Sequence, residues 1–155
     1  MGAARFRYAL EPVALQRQWA LDALLRDLGD CNFALAQRRA ECDAVLAQLA
    51  QAGREWTAMG QPGQVLLVDR YAMLSRYMNE RQREVHALEQ ACAELARLRD
   101  GLIDQVGAAR RAVDAVEEHR GEMRREFVKA RLGGEFKDAD DQWSVLQTVR
   151  VTDDD

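Results

Sequence analysis

The sequence predicts an all-α protein, a long antiparallel two-helix coiled-coil hairpin, and three observations carry that expectation. Apolar residues recur seven apart at Ala14, Leu21, Leu28, Leu35, Cys42, Leu49 and Trp56. They do so again at Leu67, Leu74, Leu88, Leu95, Leu102, Ala109, Val116 and Met123, with Arg81 as the one polar member. A 3.5-residue period gives each helix one narrow stripe that another helix must cover. The repeat is broken at a single place, Gly60-Gln61-Pro62-Gly63. Finally, the strong helix formers Ala, Leu, Glu, Arg and Gln dominate, and the only prolines are Pro12 and Pro62.

Each element follows in order. Residues 1–11 form an N-terminal arm, helical if Phe6 and Leu10 extend the stripe. The first coiled-coil helix covers 12–59, because proline is tolerated in a first turn, where its missing N–H has no partner to lose. Residues 60–64 make the turn, since Gly relaxes φ and Pro cannot continue a helix. The second helix covers 65–132 and stops at Gly133-Gly134. Residues 133–155 form an acidic C-terminal tail, expected to be mobile.

A turn centred on Gln61 and Pro62 sets a register. It places Leu28 opposite Leu95, Leu35 opposite Leu88, Leu49 opposite Leu74, Val45 opposite Met78, Ala52 opposite Tyr71 and Cys31 opposite Cys92. Three layers then carry arginine: Leu24 with Arg99, Arg38 with Val85, and Cys42 with Arg81. Arginine fits such a layer by laying its methylenes along the seam and its head in water.

Several function classes are disfavoured. The net charge of −4, with 31% charged residues, lacks the basic excess of a bulk nucleic-acid binder. No stretch approaches the roughly 20 apolar residues of a membrane span, so a cytosolic chain without direct membrane insertion is expected. Cys31, Cys42 and Cys92 have no metal-type spacing and read as reduced, packed thiols. His86 and His119 have no carboxylate or thiol at a catalytic spacing. No catalytic, metal or cofactor site is expected, and the chain does not read as an enzyme.

Large apolar residues outside the stripe are more informative. Trp19 and Phe33 lie opposite it, and Leu66, Val68, Met73 and Tyr77 flank the seam residues Tyr71, Leu74 and Met78. They read first as a partner surface on both helices, the alternative being self-association into a four-helix bundle or crowding at the seam edge. Late in the second helix, Arg110, Arg111, Arg120, Arg124, Arg125, Lys129 and Arg131 interleave with Glu117, Glu118, Glu122 and Glu126, in part as ordinary i,i+4 pairs. Phe127 and Leu132 have no obvious partner there. Insertion into an acidic-lined opening of another protein fits this end, and so does a solvated, disordered helix end.

The segment Phe6-Arg7-Tyr8-Ala9-Leu10-Glu11-Pro12-Val13 resembles the aromatic–Arg–aromatic–x–Leu-Glu-x-(Val/Leu) opening of the FliJ family of flagellar export proteins and their YscO-type counterparts in type III secretion. A second likeness lies in Arg124-Arg125-Glu126 followed by Glu135-Phe136-Lys137-Asp138-Ala139-Asp140-Asp141, similar to the basic-then-acidic ending of those chains. The resemblance implies an antiparallel hairpin acting as central stalk of a hexameric secretion ATPase. It further implies contact with the cytoplasmic domain of the export gate membrane protein, binding of export chaperones by some members, and a cytoplasmic position peripheral to the inner membrane. Carried onto this chain, Phe6, Arg7, Leu10, Arg124, Arg125 and Phe127 become candidate ATPase contacts. Tyr71, Leu74 and Met78 become candidate gate contacts. The alternative is a structural coiled-coil adaptor or self-associating tether with no ATPase partner.

Overall fold

The computed structural model describes residues 5–152, with side chains as far as 146. It is all-α: α1 spans Glu11–Met59 and α2 spans Val68–Thr152. Residues 5–10 are a non-helical arm ending in a turn. The first helical bond runs from the Ala14 N–H to the Leu10 carbonyl at 3.0 Å, so Pro12 falls in the first turn. Glu11 places a negative charge at the same helix end, where the backbone dipole favours it.

The connection is longer than expected. The Gln64 N–H reaches the Gln61 carbonyl at 3.3 Å around Pro62 and Gly63. Gly63, at φ +89°, is the only residue with positive φ among those described. Proline followed by a positive-φ glycine is the signature of a type II turn. Residues 64–67 then run non-helically, and α2 opens with the Tyr71 N–H on the Leu67 carbonyl at 3.0 Å.

Contacts divide the chain into two units, one joining the segment up to Leu21 with that from Ala108 onward, the other Asp22–Gly107. Within the second unit the helices pack along the predicted stripes. Cys31, Leu35, Cys42, Val45 and Ala52 of α1 are buried, as is Val85 of α2. Cys42, Val45 and Val85 form one cluster with Leu88 against it. Burial pushes the Cys42 thiol above its usual 9.0, and Glu89, Cys92 and Asp43 add to the effect.

The pairing is displaced by about one helical turn from the expected register. The Cys31 thiol donates to the Leu95 carbonyl at 3.4 Å rather than facing Cys92. Tyr71 stacks on Trp56, not on Ala52. Val85 packs with Cys42, which releases Arg38 from the seam to pair with Glu41 at 2.7 Å. The physical reason is the extra non-helical residues before Val68. They move the midpoint of the connection from Gln61/Pro62 to Gly63/Gln64, and the contacts of Cys31, Cys42 and Trp56 move with it.

The C-terminal boundary also differs from expectation, because α2 passes through Gly133-Gly134 to Thr152. Each glycine disfavours helix by about 1 kcal/mol relative to Ala. Against that, Arg131 and Glu135 pair across the glycines at 2.9 Å, an i,i+4 contact. No helix among the described residues is long and apolar enough to cross a membrane.

Candidate partner-binding surfaces

In the first unit, the arm lies on α2. The turn before α1, with the Glu11 N–H on the Tyr8 carbonyl at 3.3 Å, directs Tyr8 and Phe6 onto that helix. Phe6 meets Phe127 with ring centroids 5.6 Å apart and planes tilted 55°, a favoured aromatic geometry. The Tyr8 hydroxyl sits 2.9 Å from His119 Nδ1 and 3.3 Å from the Val116 carbonyl. Arg120 fastens the arrangement: its guanidinium lies 5.1 Å from the Tyr8 ring centroid, pairs with Glu11 at 2.5 Å and with Glu117 at 3.2 Å. Its Nε is buried without a hydrogen-bond partner.

Phe127 therefore has an intramolecular partner, contrary to expectation, and that partner is another candidate residue. Around the pair is a shallow groove of about 640 Å³ whose lining includes Arg5, Arg124 and Arg131 beside Phe6, Tyr8 and Phe127. Arg7, Leu10 and Arg125 are exposed and do not line it. Arg125 instead borders a second groove of about 410 Å³ on α2, floored by Gly121, Val128 and Leu132 and flanked by Arg124 and Lys129. The roles of Tyr8, His119 and Arg120 in holding the arm were missed in the sequence. In the sequence Arg120 is one of several basic residues interleaved with glutamates, and a heptad reading says nothing of a non-helical arm.

In the second unit, the candidates beside the connection serve the helix pair first. Tyr71, Leu74 and Met78 are all half-buried, and Tyr71 lies 3.8 Å from Trp56 between ring centroids. Their neighbours are the accessible groups: Val65 is 85% exposed and Met73 71%, with Leu66, Leu67 and Val68 also in solvent. Leu67, expected in the stripe, is out of it because it precedes α2. A groove of about 660 Å³ runs between Gln48, Gln51 and Ala52 of α1 and Met73, Leu74 and Tyr77 of α2. Arg81 stands 5.4 Å from the Tyr77 ring and pairs with Glu84.

Trp19 in the first unit and Phe33 in the second are each 67% exposed. All three cysteines are free thiols. No protein-family model, curated protein or solved structure matches the chain.

Proposed function

We propose that this chain is an antiparallel coiled-coil stalk and escort protein of a type III export apparatus, flagellar or injectisome, with no catalysis of its own. Its arm end binds the hexameric export ATPase, and its connection end contacts the export gate. The observation that carries this reading is the Phe6–Phe127 pair. It joins the chain's two candidate ring-binding segments into one aromatic patch beside Arg5, Arg124 and Arg131. Such a patch suits an acidic-lined opening, since aromatic and arginine groups are the side chains that most often anchor an interface. At the other end, exposed Val65, Leu66, Val68 and Met73 supply an aliphatic contact, with Tyr71, Leu74 and Met78 as its support.

The decisive measurement is the hydrolysis rate and oligomer size of the export ATPase from the same source, with and without this protein. An increase in both is expected, and Phe6→Ala with Phe127→Ala should weaken it. No change in either quantity overturns the reading.

The exposure of Trp19 and of Phe33 favours a second reading, a structural adaptor or self-associating tether. It predicts an assembly that dissolves on Trp19→Ala and Phe33→Ala substitution and an ATPase that ignores the protein.

A further inference from the structure

Past Phe127, α2 has a second apolar stripe. Val128, Leu132, Phe136, Ala139, Trp143 and Leu146 recur at helical spacing, and the large members are 47%, 49%, 72%, 63% and 63% exposed in chain order. At about 100° per residue this stripe is centred roughly 130° around the helix from Phe127. Val128 also lines the groove beside the arm, while from Leu132 onward the stripe lies outside that groove.

The stripe changes character along its length. Its first half is the shallow groove over Gly121, Val128 and Leu132, with Arg124, Arg125 and Lys129 at its border. Its second half projects Phe136, Trp143 and Leu146, with Glu135 and Asp140 on its flanks. One half is concave and basic, and the other is protruding and acidic. Such a surface complements a copy of itself turned end for end, the condition for an isologous twofold contact.

We propose that this face of α2 pairs with a second copy of the chain, antiparallel, about a twofold axis near Gly134. In that register Phe136 meets Leu132 of the other copy and Ala139 meets Val128. Trp143 lies over Arg125, a cation–π contact, and Leu146 enters the space above Gly121. Lys129 and Asp140 face each other across the flank. A parallel pair is disfavoured, because it sets Glu135 of one copy against Asp140 of the other. The contact is a single helix pair at or below the smaller end of stable interfaces, so association of about micromolar strength is expected. It goes beyond the stalk reading and competes with it for Arg125, so pairing and ring engagement exclude each other.

The test is sedimentation of the full chain over a range of concentrations at low and high salt. A monomer–dimer equilibrium weakened by salt is expected. Phe136→Ala with Trp143→Ala should weaken it about tenfold or more, with helix content retained because both positions are exposed. Lys129→Asp alone and Asp140→Lys alone should each weaken it, and the two together should restore it, since every symmetric contact is then reversed. A chain that stays monomeric up to about millimolar concentration overturns the proposal. So does a dimer indifferent to Phe136 and Trp143, or a double charge reversal that fails to rescue. The ATPase assay is separate, so a monomeric chain that still activates the ATPase removes this inference and leaves the stalk reading standing.

Discussion

At the connection, Trp56 and Tyr71 stack at 3.8 Å and the surrounding groups are aliphatic. At the arm, Phe6 and Phe127 meet at 5.6 Å among charged and hydrogen-bonding groups. The first contact joins residues a short turn apart, so loop closure costs little. The second depends on an arm docking onto a helix surface more than a hundred residues away, with the Tyr8–Val116 bond spanning 108 positions. The difference teaches that the connection is held by burial and the arm by a set of modest, salt-sensitive contacts. One region is closed by packing, and the other rests on contacts that solvent and salt can reach.

The largest effect should come from breaking the connection. Trp56→Ala removes the stack and opens a gap beside Ala52, at a cost of about 2–3 kcal/mol given that Trp56 is half-buried. A lower urea midpoint at unchanged slope is the expected readout. A loss under about 0.5 kcal/mol would erase the contrast between the ends. At the arm, Phe6→Ala and Phe127→Ala should each cost about 1 kcal/mol, with a coupling of about 0.5–1.5 kcal/mol in a double-mutant cycle. Zero coupling would mean that the rings do not hold the arm.

A pH titration sharpens the comparison from the buried side. The folded-state pKa of Cys42 is raised, so the folded chain holds its proton more tightly than the unfolded one. That contribution is fully present below the usual thiol value of 9.0 and is lost as pH rises from there through the folded value. Urea stability should therefore fall above pH 9.0, with a shallower fall in Cys42→Ala. Smallest is the ion pair of Arg120 with Glu11. With side chains 30% and 51% exposed, Arg120→Gln should cost about 0.5 kcal/mol, less in high salt. Hydrogen exchange at 116–120 is the measurement, and an equal response at 71–78 would remove the contrast.

The stripes were legible in the sequence because burial on a helix pair is periodic, and Leu35, Cys42, Val45 and Val85 lie where that period puts them. The register was not, because it depends on how many residues the connection leaves out of helix. Val65, Leu66 and Leu67 have apolar side chains suited to a stripe and yet stay outside α2. The stop at Gly133-Gly134 was misread for a related reason. Glycine weakens a helix without obliging it to end, and a neighbouring pair such as Arg131–Glu135 tips so small a balance. Phe6 and Phe127 could be named as candidates one by one. Their meeting could not be read, since it rests on a non-helical arm for which periodicity has no signal.

The distance along the chain between Tyr8 and the α2 carbonyl it reaches has a consequence during synthesis. The arm is made 108 residues ahead of Val116, at ordinary translation rates roughly ten seconds earlier. For that interval Phe6 and Tyr8 have no surface to rest on, and they are offered to whatever the nascent chain meets. Docking of the arm thus waits until α2 has been made at least as far as Phe127, the most distant residue it touches.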